Sequence, residues 1–162
     1  MNTTPEHIHA VINHVPLFAA AFALIPLAWA IASRSTLCLR IGLLFLVIGV
    51  GFMIPTILTG ESSEHRMEAV VDPQGKEWLE LHEDRSEPLA YTFYIIGALS
   101  VVALIVTFRS ETFARPLAAG FLLLSVVLLL WVAYVAESGG KIRHPEFREG
   151  AVLAPERGSH HD

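Results

Sequence analysis

Apolar residues fall in four long blocks, at 11–32, 41–58, 89–108 and 115–136, with short polar stretches between them. Each block matches the ~20 apolar residues of helix that cross a bilayer core about 30 Å thick. No Lys, Arg, Asp or Glu interrupts a block, and Arg115 stands only at the edge of the fourth. The pattern predicts an all-α integral membrane protein, a four-transmembrane-helix bundle. Residues 1–147 form its membrane domain and 148–162 a polar C-terminal tail. No internal repeat and no low-complexity run is apparent in the sequence.

Local signals refine the ends of these helices. Thr4 suits an N-cap, Pro5 the first helical position and Glu6 the positive end of the dipole. The first helix is therefore expected to begin at residue 5 and run for about 28 residues, roughly 42 Å. Met1–Ala10 contains Glu6 and no Lys or Arg, so this segment reads as a retained helix, not as a leader. Pro16, Pro26 and Pro55 are expected to kink spans 1 and 2. Gly42, Gly49, Gly51 and Gly97 suit close helix packing. Thr59-Gly60 reads as the stop of span 2. Ser62 or Ser63 would then cap a short helix that Asp72-Pro73 ends, and helix resumes near Lys76. The run Glu137-Ser138-Gly139-Gly140 reads as the stop of span 4.

Charge orients the bundle. Arg34, Arg40, Arg109 and Arg115 flank the two short loops, where Glu111 is the one acid; the other fifteen of the sixteen acids lie on the opposite side. The positive-inside rule puts the arginine loops in the cytoplasm and both termini outside. This predicts a multi-pass membrane protein whose other face is extracytoplasmic.

Composition narrows the chemistry. The chain of 162 residues is 53% hydrophobic and 17% charged, with 11 Lys+Arg against 16 Asp+Glu, which argues against nucleic acid as a partner. One cysteine, Cys38, excludes an intramolecular disulfide and a cysteine-based zinc site. No C-x-x-C-H motif is present for covalent haem, no G-x-S-x-G and no phosphate-cradling glycine loop. The unusual feature is eight histidines. His7, His9, His14, His65, His82, His144, His160 and His161 all fall on the predicted outer side, where the ends of four bundled helices converge. At 100° per residue, His7 and His14 share one face of the first helix to within about 20°, and His9 shares another with Asn13. His14 enters the apolar block, and an intramembrane ionisable residue points to function.

The motifs His9-Ala-Val-Ile-Asn13-His14-Val-Pro16, Thr59-Gly60 with Glu64, His82-Glu83-Asp84 and Gly139-Gly-Lys-Ile-Arg-His-Pro-Glu146 are informative together. The chain resembles, from Glu6 to about Phe147, small bacterial four-helix membrane proteins related to the domain of unknown function numbered 2231. That wider group occurs with Rieske and cytochrome proteins. The resemblance therefore implies membrane electron transfer.

Three functions fit these residues. In the first, the protein is a b-type cytochrome carrying one or two haem b groups, each held by two imidazoles across an apolar slot. His14 with His82, and His9 with His144, would be the ligand pairs. Arg143 and Lys141 would face haem propionates, while Asn13, Glu83 or Glu64 would fix ligand tautomers. Its partners would be other membrane redox subunits or a periplasmic cytochrome. In the second, His14, His82, His9 and His144 join Glu64, Glu83 and His65 in a zinc, iron or copper site. In the third, the chain is a cofactor-free accessory subunit of a membrane complex. The first reading makes it an electron carrier more than a stand-alone enzyme.

Overall fold

The computed structural model describes residues 4–149. His160, His161 and most of the tail lie outside the described residues. All regular structure among those residues is helical: α1 (Pro5–Ile12), α2 (His14–Ser33), α3 (Thr36–Val70), α4 (Pro73–Arg109), α5 (Ala114–Arg143) and a 3₁₀ turn at Pro145–Phe147. Four helices are long and apolar enough to cross a membrane, with α1 and α2 together forming the first, Pro5–Ser33. The four expected spans lie within them.

Helix begins at Pro5 as expected and is interrupted at Asn13, in the turn that Pro16 is expected to distort. Pro16 has no N–H for the Ile12 carbonyl, and its ring crowds that turn. The corrections are all in the direction of longer helices. α3 does not stop at Thr59-Gly60; it runs on to Val70. Ser62 and Ser63 cap nothing and instead bond back to the Leu58 and Thr59 carbonyls. α5 likewise passes through Gly139 and Gly140 to Arg143. Only Val71 and Asp72 separate α3 from α4, and Asp72 caps α4 by accepting a bond from the Gly75 N–H at 2.6 Å.

The helices form a square. α2 and α4 each pack against both α3 and α5, and α1 lies on α3. Small residues set the spacing: a Cβ at Gly42 would stand 2.6 Å from Leu27 Cγ. Ala20, Ala23, Leu27, Leu39, Leu43 and Leu128 form the dry centre, while Phe18, Ile25, Ile95, Leu123 and Leu130 point outward. Apolar residues on both faces of a helix are the pattern of a lipid-embedded bundle. At one end of the square lie the turns after Ser33 and after Arg109. There Arg40 bonds the Thr107 carbonyl and stacks on Phe108, 4.2 Å from its centroid. At the other end α3 and α4 extend well beyond the expected spans, by about 18 and 24 Å. This histidine end carries the candidate chemistry.

Candidate functional site

Two histidines are held in the same way by different helix pairs. His9 of α1 lies against α3, its Nδ1 2.9 Å from the Thr56 carbonyl and 3.4 Å from the Thr59 hydroxyl. His82 of α4 lies against α5, its Nδ1 3.1 Å from the Val135 carbonyl and 3.3 Å from the Ser138 hydroxyl. In both cases the hydroxyl sits three residues after the carbonyl and bonds back to it, at 3.1 Å for Thr59 and 2.7 Å for Ser138. A glycine follows the hydroxyl in both. A Cβ at Gly60 would come 3.1 Å from His9 Cε1, and one at Gly139 would come 3.0 Å from His82 Cε1. The glycines therefore let each imidazole lie flat on the neighbouring helix.

This geometry assigns the tautomers. A carbonyl oxygen only accepts, so each Nδ1 carries the proton and donates it. Each Nε2 is left with a bare lone pair, the state a metal requires. Met53, Leu89, Phe93 and Val135, on the helices that carry or face these rings, are buried in the apolar core.

The remaining candidates lie elsewhere. His14 is exposed on the outside of α2, with Nδ1 2.9 Å from the Ala10 carbonyl, and does not face His82. Asn13 is exposed as well. His144 does not meet His9: it is exposed, pairs with Glu146 at 2.8 Å and stacks on Phe147. Backbone bonds and that imidazole hold the Glu146 carboxyl below its usual range. Arg143 is exposed, and Lys141 is engaged with Glu137 at 2.6 Å and with the Trp78 ring. His65 is exposed, 3.8 Å from Glu68.

Glu64 stands on α3 and Glu83 on α4. Burial first, and then the neighbouring charges of Glu64, Asp84, Glu61 and Glu87, push the Glu83 carboxyl up; it lies outside the stretch 89–108. Among the described residues no three His, Cys, Asp or Glu side chains converge as a metal site.

Sequence reasoning missed Thr56, Thr59, Val135, Ser138 and Gly139 as positioning groups. The available signal was the pair of doublets Thr59-Gly60 and Ser138-Gly139, which resemble helix stops. It also missed Arg148, which is buried at the same end. Its guanidinium donates to both Asp72 oxygens at 2.9 Å and to the Lys141 and Ile142 carbonyls at 2.8 Å. Compared with known proteins, the chain matches no family model, no curated protein and no solved structure.

Proposed function

We propose that this chain is a membrane b-type haem protein that carries electrons, with His9 and His82 as the two axial ligands. The single observation behind this reading is the matched anchoring of the two rings. Each has Nδ1–H tied to a backbone carbonyl of the partner helix and an Nε2 with no hydrogen-bond partner among the described residues, on opposite halves of one bundle. Haem iron takes two neutral imidazoles in this state, and the bond at the far nitrogen sets ring orientation and ligand basicity. The donor set fits haem b, which would supply one-electron chemistry at the iron. The chain's own contribution is to hold both rings at fixed angles, through Thr56 and Val135, and to keep the surroundings apolar through Leu89 and Phe93.

The resemblance to four-helix proteins associated with Rieske and cytochrome partners belongs to the same reading. The arginine-bearing turns support a cytoplasmic position for their end of the bundle. The histidine end and both termini would then face the periplasm of a bacterial inner membrane. Electrons would pass there to other membrane redox subunits or to a periplasmic cytochrome.

The test is the visible spectrum of the full chain in detergent, oxidised and dithionite-reduced. A low-spin Soret band with resolved α and β bands on reduction is expected. His9→Ala and His82→Ala should each abolish it, and His14→Ala and His144→Ala should leave it in place. A colourless protein, or spectra indifferent to both inner substitutions, would overturn the proposal.

A further inference from the structure

His14 and the rings below it form a ladder on the outside of the bundle. The His14 ring stacks on Phe18 with centroids 6.3 Å apart, and Phe18 on Phe22 at 6.1 Å. Phe22 leans on Phe45 of α3 at 6.2 Å. Below the ladder a groove of about 370 Å³ opens between α2 and α3, lined by Phe22, Ile25, Trp29, Ile41 and Phe45. Phe18 and Phe22 are about half exposed, at 52% and 54%.

An apolar helix face in a membrane needs no partner beyond acyl chains, but an imidazole at its head does. A polar group facing hydrocarbon is costly unless it is hydrogen-bonded. The Ala10 carbonyl satisfies Nδ1 and makes it the donor. Nε2 is then an acceptor with no protein hydrogen bond among the described residues. A phospholipid phosphate is a poor match, since residues 4–33 contain no Lys or Arg and Arg66 is turned toward Glu6 at 3.5 Å. What fits is a neutral ring that donates a hydrogen bond at one end and carries a long apolar tail.

We propose that this surface binds an isoprenoid quinol. One ring hydroxyl donates to His14 Nε2, the ring rests on Phe18, and the tail runs past Phe22 into the groove. Five positions separate His14 from His9, about 7.5 Å of helical rise and about 140° round the helix. The bound ring would therefore stand just over a turn below the haem ligand of the preceding section, on the outer side of the same helical segment. Its relevance to electron transfer rests on that reading, but the binding site does not.

The full chain in nanodiscs, photolabelled with a ubiquinol analogue carrying a diazirine on its isoprenoid tail, tests this. Label is expected on α2 and α3, around Phe22 and Phe45, and ubiquinol-2 should displace it. His14→Leu should raise the concentration needed for half-labelling by about five- to tenfold, the loss of one hydrogen bond. His14→Gln, whose amide oxygen can still accept, should recover most of that loss. His82→Ala should label like the unaltered chain, which separates failure of the haem reading from failure of this one. The proposal is overturned if label falls on α4 or α5, if His14→Leu labels normally, or if squalene displaces the analogue as well as ubiquinol-2. A second copy cross-linked across Phe22 would overturn it too.

Discussion

A methyl group decides the position of each anchored ring. At Gly139 it would stand 3.0 Å from His82 Cε1, and at Gly60 3.1 Å from His9 Cε1, so the imidazoles must shift by a few tenths of an ångström. Overpacking of this kind costs about 1–3 kcal/mol. Gly60→Ala and Gly139→Ala are therefore expected to weaken haem retention by roughly 5- to 150-fold, read by titration of the low-spin spectrum. Gly51→Ala is the control, because nothing lies within 4 Å of its Cβ position; it should bind like the unaltered chain. Equal retention in all three variants would mean that the rings are not held where the bonds to Thr56 and Val135 place them. The anchoring hydroxyls offer a milder change. Ser138→Ala removes one of two acceptors near His82 Nδ1 and leaves the Val135 carbonyl, so a smaller loss than that of Gly139→Ala is expected in the same titration.

The long helices α3, α4 and α5 show how far the sequence could be read. Their apolar blocks were legible because lipid contact demands uninterrupted apolar residues, a constraint that needs no tertiary partner. Their ends were not. Gly60 and Gly139 look like C-caps, yet each lies mid-helix because a histidine from another helix occupies the space a side chain would take. Local propensity carries no information about a residue 51 or more positions away. His14 was misleading for the related reason that a residue's depth in the chain does not reveal which side of its helix faces the bundle.

The histidine end of α5 was equally hidden, because its closure depends on Arg148, 76 positions from Asp72. That arginine satisfies two of the carbonyls left over at the end of α5 and pairs with the residue that caps α4. Arg148→Ala should leave the Lys141 and Ile142 carbonyls without donors. The expected cost is about 1–3 kcal/mol, read as faster proteolysis after Lys141 and Arg143. The contact also has a pH signature. Arg148, and then the Gly75 N–H, hold the Asp72 carboxyl below its ordinary value of 3.8. A carboxyl lowered by folding contributes stability that is fully present above its unfolded value and is lost as pH falls through the folded one. Protection from an acid-active protease such as pepsin should therefore fall below about pH 4. In Asp72→Asn that acid step should be absent, and an unchanged step would assign it to another carboxylate.

Across the molecule the two anchored histidines define equivalent halves, α1–α3 and α4–α5, each a descending helix with its histidine and an ascending helix with hydroxyl and glycine. An Arg-Ser pair marks the turn of each half, Arg34-Ser35 and Arg109-Ser110. The chain shows no such repeat by residue similarity, since the rest of each half consists of interchangeable apolar residues. Because both halves run the same way through the bundle, both Arg-Ser turns lie at one end and both histidines at the other. One orientation then fixes every site, and it can be measured directly. In a Cys38→Ser background, Glu61→Cys should react with a membrane-impermeant maleimide in intact cells, after the outer membrane is made leaky. Ser110→Cys should react only in inverted inner-membrane vesicles. That outcome places His9, His82 and the His14 ladder at the periplasmic face, within reach of the periplasmic cytochrome proposed as partner. The opposite pattern would put the arginines outside and the histidine end in the cytoplasm. The proposed haem ligation would survive that result, but the partner would have to be a cytoplasmic one.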